Sequence, residues 1–262
     1  MSPCQPILLP LPAGDDNLIW CLPTAPDHRA VVDPGDAAPV LSALESQGAT
    51  LSHILLTHHH DDHTAGVAAL RSRWPQCQVW GAQADAGRLP PLDLALHDGQ
   101  QAILGPWGVT VLATPGHTSG HVTFLLDQQH LLAGDCLFAY GCGRLFEDSP
   151  AQLWSSLRRL RDLPGEIQVY PAHEYTVANL RFALSLTEDA ATRASLDRLL
   201  EEACQIRASQ GCTLPVSMEQ QRRFNPFMQC DQPRRGHFRG APAGATPEAF
   251  CGWLRECRNQ FR

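Results

Sequence analysis

Lysine is missing: all 20 fixed side-chain cations of the 262 residues are arginine. Anion recognition in this chain must therefore use guanidinium groups, which grip carboxylates as planar forks. The ten cysteines include no Cys-x-x-Cys pair. A disulfide framework is not expected at this size, and reduced thiols in a cytoplasmic protein are the simplest account. No apolar run reaches membrane-spanning length. The stretch Met1 to Pro12 has no basic region and is broken by four prolines, unlike a signal peptide. A basic excess is absent too, since the formal net charge is −7, which argues against a nucleic-acid surface. What remains is an ordinary soluble composition, long enough for one large domain and a smaller one.

Against that background one stretch stands out, Thr57-His58-His59-His60-Asp61-Asp62-His63-Thr64-Ala65-Gly66. The apolar run Ile54-Leu55-Leu56 reads as a buried strand leading into it, and Thr64 to Trp74 has helical spacing behind it. Side chains two apart in an extended segment lie on one side, so His58 and His60 converge while His59 points elsewhere. Asp62 and His63 follow at the turn and face a second point. Four imidazole and carboxylate donors exceed what one open zinc site takes from a single loop, which points to two metals.

Short strands are expected at Gln5 to Leu11, Asn17 to Leu22, Ala30 to Val32 and Gln78 to Trp80. Further strands are expected at Ala102 to Leu104, Val109 to Ala113, Val122 to Leu126, His130 to Ala133 and Ile167 to Tyr170. Helices are expected at Pro39 to Gln47, stopped by Gly48, and at Leu153 to Leu163. Ala82 to Leu96 is interrupted by Gly87, Pro90 and Pro91 and has no clear pattern. Two runs of strands with helices between them suggest two sheets face to face with helices outside. After His173 the chain turns helix-rich, from Val177 to Gln210, at Met218 to Arg223 and at Phe250 to Phe261. The Gly-, Pro- and Arg-rich stretch Asp231 to Pro247 reads as a flexible surface loop. The division expected is 1–173 and 174–262.

More ligands should sit at strand ends, and three candidates do. His117 follows Val109 to Ala113, Asp135 follows His130 to Ala133, and His173 follows Ile167 to Tyr170. His58, His60 and His117 would hold the first ion; Asp62, His63 and His173 would hold the second; Asp135 would bridge them. Asp33, at the end of its strand, is placed to orient a ligand histidine through its ring N–H.

Thr-His-x-His-x-Asp-His, Pro115-Gly116-His117-Thr118, Gly134-Asp135 and His173 resemble the metallo-β-lactamase superfamily. The resemblance implies an α+β fold, an αββα sandwich of the metallo-β-lactamase type, here with a C-terminal helical domain. Gly141-Cys142-Gly143-Arg144-Leu145-Phe146, Pro171 to Thr176, Asn225-Pro226-Phe227-Met228 and Leu254 to Phe261 are similar to the hydroxyacylglutathione hydrolase (glyoxalase II) branch. That branch implies glutathione contacts at Arg144, Phe146, Tyr175, Arg255 and Arg258. Phe146 departs from the commoner tyrosine, and Gln229 stands where arginine is usual.

The activity so implied is hydrolysis of S-(2-hydroxyacyl)glutathione, S-D-lactoylglutathione above all, to glutathione and D-lactate. Asp62 and Asp135 are the catalytic carboxylates, serving a metal-activated water. The cofactors are two divalent ions, zinc first, with iron and manganese compatible with the donors. A small-molecule thioester partner, no nucleic acid, no membrane and a cytoplasmic monomer complete the expectation. The rivals are an iron-dependent persulfide dioxygenase acting on glutathione persulfide, a tRNA-processing endonuclease, and a metal-binding module without catalysis.

Overall fold

The computed structural model describes residues 8–261. Packing gathers the chain into two compact units, the described part of Met1–Ala113 with Gly120–Gly134, and the described part of Asp135–Arg262 with Thr114–Ser119.

The first unit contains a six-stranded sheet in strict chain order, β1 (Leu9–Ala13), β2 (Asn17–Ala25), β3 (His28–Val32), β4 (Thr50–Leu56), β5 (Gln78–Ala82) and β6 (Leu94–Leu96). The expected first strand began at Gln5, and Gln5 to Ile7 lie outside the described residues. Tight turns make β1, β2 and β3 antiparallel, whereas β3 to β6 run parallel because each connection crosses over. The crossover helices are α1 (Ala37–Gln47), α2 (Asp61–Thr64) and α3 (Val67–Arg73). Gly48 ends α1 in the left-handed conformation that a residue without a Cβ adopts without cost.

Val40 and Leu44 of α1 and Val67 and Leu70 of α3 join Ile54 and Leu56 of β4 in one buried cluster. Leu55 is also buried and points to the opposite face. A strand buried on both faces explains the continuous apolar run that announces the histidines. An antiparallel meander, β7 (Gln101–Leu104), β8 (Trp107–Ala113), β9 (Val122–Leu126) and β10 (His130–Gly134), supplies the second sheet of the sandwich.

One expectation is corrected here, and one stretch left open is filled. The helix expected over Thr64 to Trp74 is broken between Thr64 and Val67, because Gly66 donates its N–H to the Pro34 carbonyl at 3.0 Å and has no room for a Cβ beside it. The indistinct Ala82 to Leu96 stretch holds a 3-10 turn at Gln83–Asp85 before β6.

The second unit opens with the small hairpin β11 (Leu137–Phe138) and β12 (Gly141–Cys142), followed by α4 (Pro150–Arg161), β13 (Gln168–Pro171), α5 (Thr176–Leu186) and α6 (Ala190–Ala208). Then come β14 (Val216–Ser217), paired with β13, α7 (Met218–Phe224) and α8 (Pro247–Gln260). The helix starts carry their signals: Ser149 caps α4 ahead of Pro150, Ser217 and Gln220 form a capping box, and Thr246 caps α8. The stretch expected as a flexible loop is pinned instead. Arg161 grips Asp231 with two bonds of 2.5 and 2.9 Å, and buried Phe238 stacks on Phe250 at 6.2 Å. Among the described residues no helix is long and apolar enough to cross a membrane.

Candidate metal centre

β4 delivers Thr57 and His58 fully buried. Thr57 donates its backbone N–H to Asp33 Oδ1 at 2.8 Å and its hydroxyl to Oδ2 at 2.7 Å. Having given its proton to the carboxylate, that hydroxyl accepts from His58 Nδ1 at 3.0 Å. His58 is thereby held as the Nδ1–H tautomer with a bare Nε2, the form in which imidazole binds a metal. The same Asp33 Oδ2 stands 3.2 Å from His63 Nδ1. Asp33 reaches both rings because the turn after β3 lies against the histidine loop. Gly35 makes this approach possible, since a Cβ there would collide with the Asp62 carbonyl.

His58 Nε2 and His60 Nδ1 converge to 3.1 Å. His59 turns away, with its Nδ1 3.1 Å from Asp85 Oδ2. Asp85 is buried, and Arg88 donates Nε to its other oxygen at 2.7 Å. Asp62 is half-exposed; its Oδ2 accepts from Asn17 Nδ2 at 3.2 Å and lies 3.5 Å from His63 Nε2. His121 is buried, its ring 5.1 Å from that of His58.

In the second unit Asp135 stands just past β10 and is buried. Its Oδ2 lies 3.5 Å from His117 Nε2 and its Oδ1 lies 3.3 Å from His173 Nε2. His117 Nδ1 is 2.9 Å from the Arg144 carbonyl. A carbonyl only accepts, so Nδ1 carries the proton and Nε2 is again bare. His173 stacks on Tyr175 at 5.0 Å, and Phe138 sets its edge against both rings.

The residues expected at the substrate divide. Burial first, and then the like charges of Arg255 and Arg144, hold the Arg258 guanidinium below the ordinary arginine value. Arg144, Arg255 and Arg258 therefore form one cationic neighbourhood, and Tyr175 is also felt there. Phe146, 63% exposed, sets its ring 5.2 Å from that of His117. Arg255 differs from the others, being only 5% exposed, with Nη1 donating to the Cys142 carbonyl at 2.8 Å. Burial pushes the Cys142 thiol up to about 12 and Cys136 higher still, so neither offers a thiolate near neutral pH.

The donors of each unit fit a divalent transition ion: imidazole nitrogens with fixed tautomers, carboxylates aimed at the same nitrogens, and no thiolate. Sequence reading missed three of the groups responsible. Thr57 was visible as the residue opening the histidine run. The Asp85 carboxylate and the Arg144 carbonyl left no local signal. Thr57→Val removes the hydroxyl between His58 and Asp33. Metal affinity should fall about 10–100-fold, the usual cost of losing such an outer partner, as read by competition with a chromogenic chelator.

Residues 18–173 match the family model described as "Metallo-beta-lactamase superfamily", and residues 174–261 match "Hydroxyacylglutathione hydrolase C-terminus". With the His and Asp groups above, the first match indicates that the chain binds divalent metal. A curated hydroxyacylglutathione hydrolase from Xanthomonas axonopodis pv. citri (strain 306) is 43% identical over 258 residues, covering 97% of this chain and 99% of that protein. Among solved structures, ETHE1 from Myxococcus xanthus superposes with a TM-score of 0.65 at 24% identity, covering 97% of this chain and 96% of that one. TTHA1623 in a di-iron-bound form gives a TM-score of 0.52 at 32% identity, covering 64% of this chain and 91% of that one. The chain thus belongs to the metallo-β-lactamase superfamily and, within it, to the hydroxyacylglutathione hydrolases.

Proposed function

We propose that this chain hydrolyses S-(2-hydroxyacyl)glutathione, with S-D-lactoylglutathione foremost, to glutathione and D-lactate, the second step of methylglyoxal detoxification. Its family makes it a thioester hydrolase. The observation that carries the reading is Asp135, one carboxylate with each oxygen facing a different imidazole. That is the disposition a shared ligand needs. In this reading His58, His60 and His117 hold one cation, Asp62, His63 and His173 hold the other, and Asp135 serves both. Zinc is the proposed load; the two irons of TTHA1623 favour a count of two. When bound, such cations bring water to a nucleophilic state near neutral pH and neutralise charge developing on a carbonyl oxygen.

The chain's own residues supply the rest. Asp33, Thr57 and the Arg144 carbonyl keep ligand nitrogens bare and aimed. Arg144 and Arg258, with Tyr175 beside them, would draw in the two carboxylates of glutathione. Phe146 has no hydroxyl, so it offers the substrate an apolar edge only. A thiol with a pKa near 8.5 leaves as thiolate, so no side chain need protonate it. The division into a catalytic part, 1–173, and a substrate-binding helical part, 174–262, and a cytoplasmic monomer belong to the same reading. The dioxygenase and non-catalytic alternatives are disfavoured by the C-terminal match.

The test is a thioester assay on metal-quantified protein, with released thiol trapped by a chromogenic reagent. Thiol release from S-D-lactoylglutathione should rise in proportion to bound metal. Oxygen consumption with one iron per chain, or tight metal binding with no thiol released, would overturn the reading.

A further inference from the structure

We propose that Asn17 is a positioning residue for Asp62, its side-chain amide holding that carboxylate in the direction that a cation shared with His63 requires. The inference rests on the proposed role of Asp62 as a metal ligand.

Asp62 is the most exposed of the seven proposed ligands, its side chain 52% accessible against 1% for that of His63. Packing does not select one rotamer for such an aspartate, which has several staggered wells open to it. Its aim has to come from a hydrogen bond, and Asn17 supplies one. Asn17 Nδ2 donates to Asp62 Oδ2 at 3.2 Å and to the Asp62 main-chain carbonyl at 3.2 Å. A single amide thus ties the carboxylate to its own main chain, and the oxygen it holds is the one that lies 3.5 Å from His63 Nε2.

The backbone explains why that carbonyl can take the amide. In an unbroken helix it would accept from the N–H four residues on, that of Gly66. Gly66 donates instead to the Pro34 carbonyl at 3.0 Å, α2 stops at Thr64, and Asn17 Nδ2 stands in for the diverted donor. Asn17 is itself fixed. It opens β2 opposite Ala13, across the turn Gly14-Asp15-Asp16, and Leu18, Ile19 and Trp20 behind it are buried. An amide suits the task because it donates without carrying charge. An arginine or lysine in its place would pair with Asp62 and repel an arriving cation.

The full-length chain is compared as wild type, Asn17→Ala, Asn17→Leu and Asp62→Ala. On metal-free protein, proton–nitrogen correlation reads the Asn17 side-chain amide, assigned by its loss in Asn17→Ala; this signal should shift in Asp62→Ala. Chelator competition reads each metal equivalent, and steady-state kinetics separate kcat from KM. Asn17→Ala should weaken the equivalent that Asp62→Ala loses about 10–100-fold, leave the other as in the wild type, and lower kcat more than it raises KM. Asn17→Leu, of similar size but without a donor, should match it. An amide signal indifferent to Asp62→Ala, wild-type affinity in Asn17→Ala, an equal loss at both equivalents, or recovery in Asn17→Leu would each overturn the inference, because Asn17 would then serve only packing or the fold. If Asn17→Ala does not fold, Asn17→Leu carries the same test. Should Asp62→Ala keep its full metal complement, the ligand reading has failed and the inference with it.

Discussion

Asp135→Ala is expected to lower thioester turnover by about three orders of magnitude, the upper range for losing one preorganised charge-stabilising group, and to leave the purified protein short of metal. The carboxylate is buried at the end of β10, with Oδ2 toward His117 and Oδ1 toward His173. Alanine removes the carboxylate that faces both imidazoles. Circular dichroism shows whether the fold survives the change. Asp135→Asn separates shape from charge. The amide fills the same space and offers one oxygen, so metal should be partly kept while turnover stays low. Metal analysis, circular dichroism and kcat on the same preparations decide the matter. Wild-type turnover at full metal content in Asp135→Ala would show that the shared-carboxylate assignment is wrong.

What could be read from the sequence, and what could not, follows the range of each interaction. The run before Thr57, the same-side spacing of His58 and His60, and the position of three acceptors or donors just past strands are local properties, and local periodicity exposes them. The partners that set tautomers are not local. The Arg144 carbonyl is 27 residues from His117, and Asp85 is 26 residues from His59. Main-chain acceptors carry no residue-type signal at all. Spacing correctly grouped Arg255 with Arg258 on α8, yet spacing cannot tell which is buried. Burial depends on Cys142, 113 residues away. The stretch after Asp231 has a flexible composition, but one aromatic, Phe238, docked on Phe250 outweighs its glycines. Gly66 shows the same limit from the other side. Its helical pattern was intact, and a backbone approach from Pro34 broke it.

Arg258→Ala is expected to raise KM for glutathione thioesters roughly ten- to a hundredfold with kcat nearly unchanged, since a charge-assisted hydrogen bond contributes about 1.5–3 kcal/mol and about 1.4 kcal/mol is tenfold. The guanidinium is held in advance of binding: Asn179 Oδ1 accepts from Nε at 3.2 Å, Asn179 is itself fixed by donating to the Ala139 carbonyl at 3.0 Å, and the Phe182 ring lies 5.8 Å beneath. Burial and the charges of Arg255 and Arg144 both disfavour the cation, which pulls its pKa down. A carboxylate arriving there relieves the repulsion among the arginines. Because that carboxylate lies at the peptide end of the substrate, far from the thioester, it is bound equally before and during reaction, and its loss appears in KM. Two controls sharpen the result. Arg258→Lys should fall between wild type and alanine, because it restores charge without the planar fork. Added salt should raise the wild-type KM and narrow its distance from Arg258→Ala, since screening weakens what the mutation has already removed. If kcat fell and KM stayed at the wild-type value, Arg258 would not be the anion-binding residue, and that role would pass to Arg144.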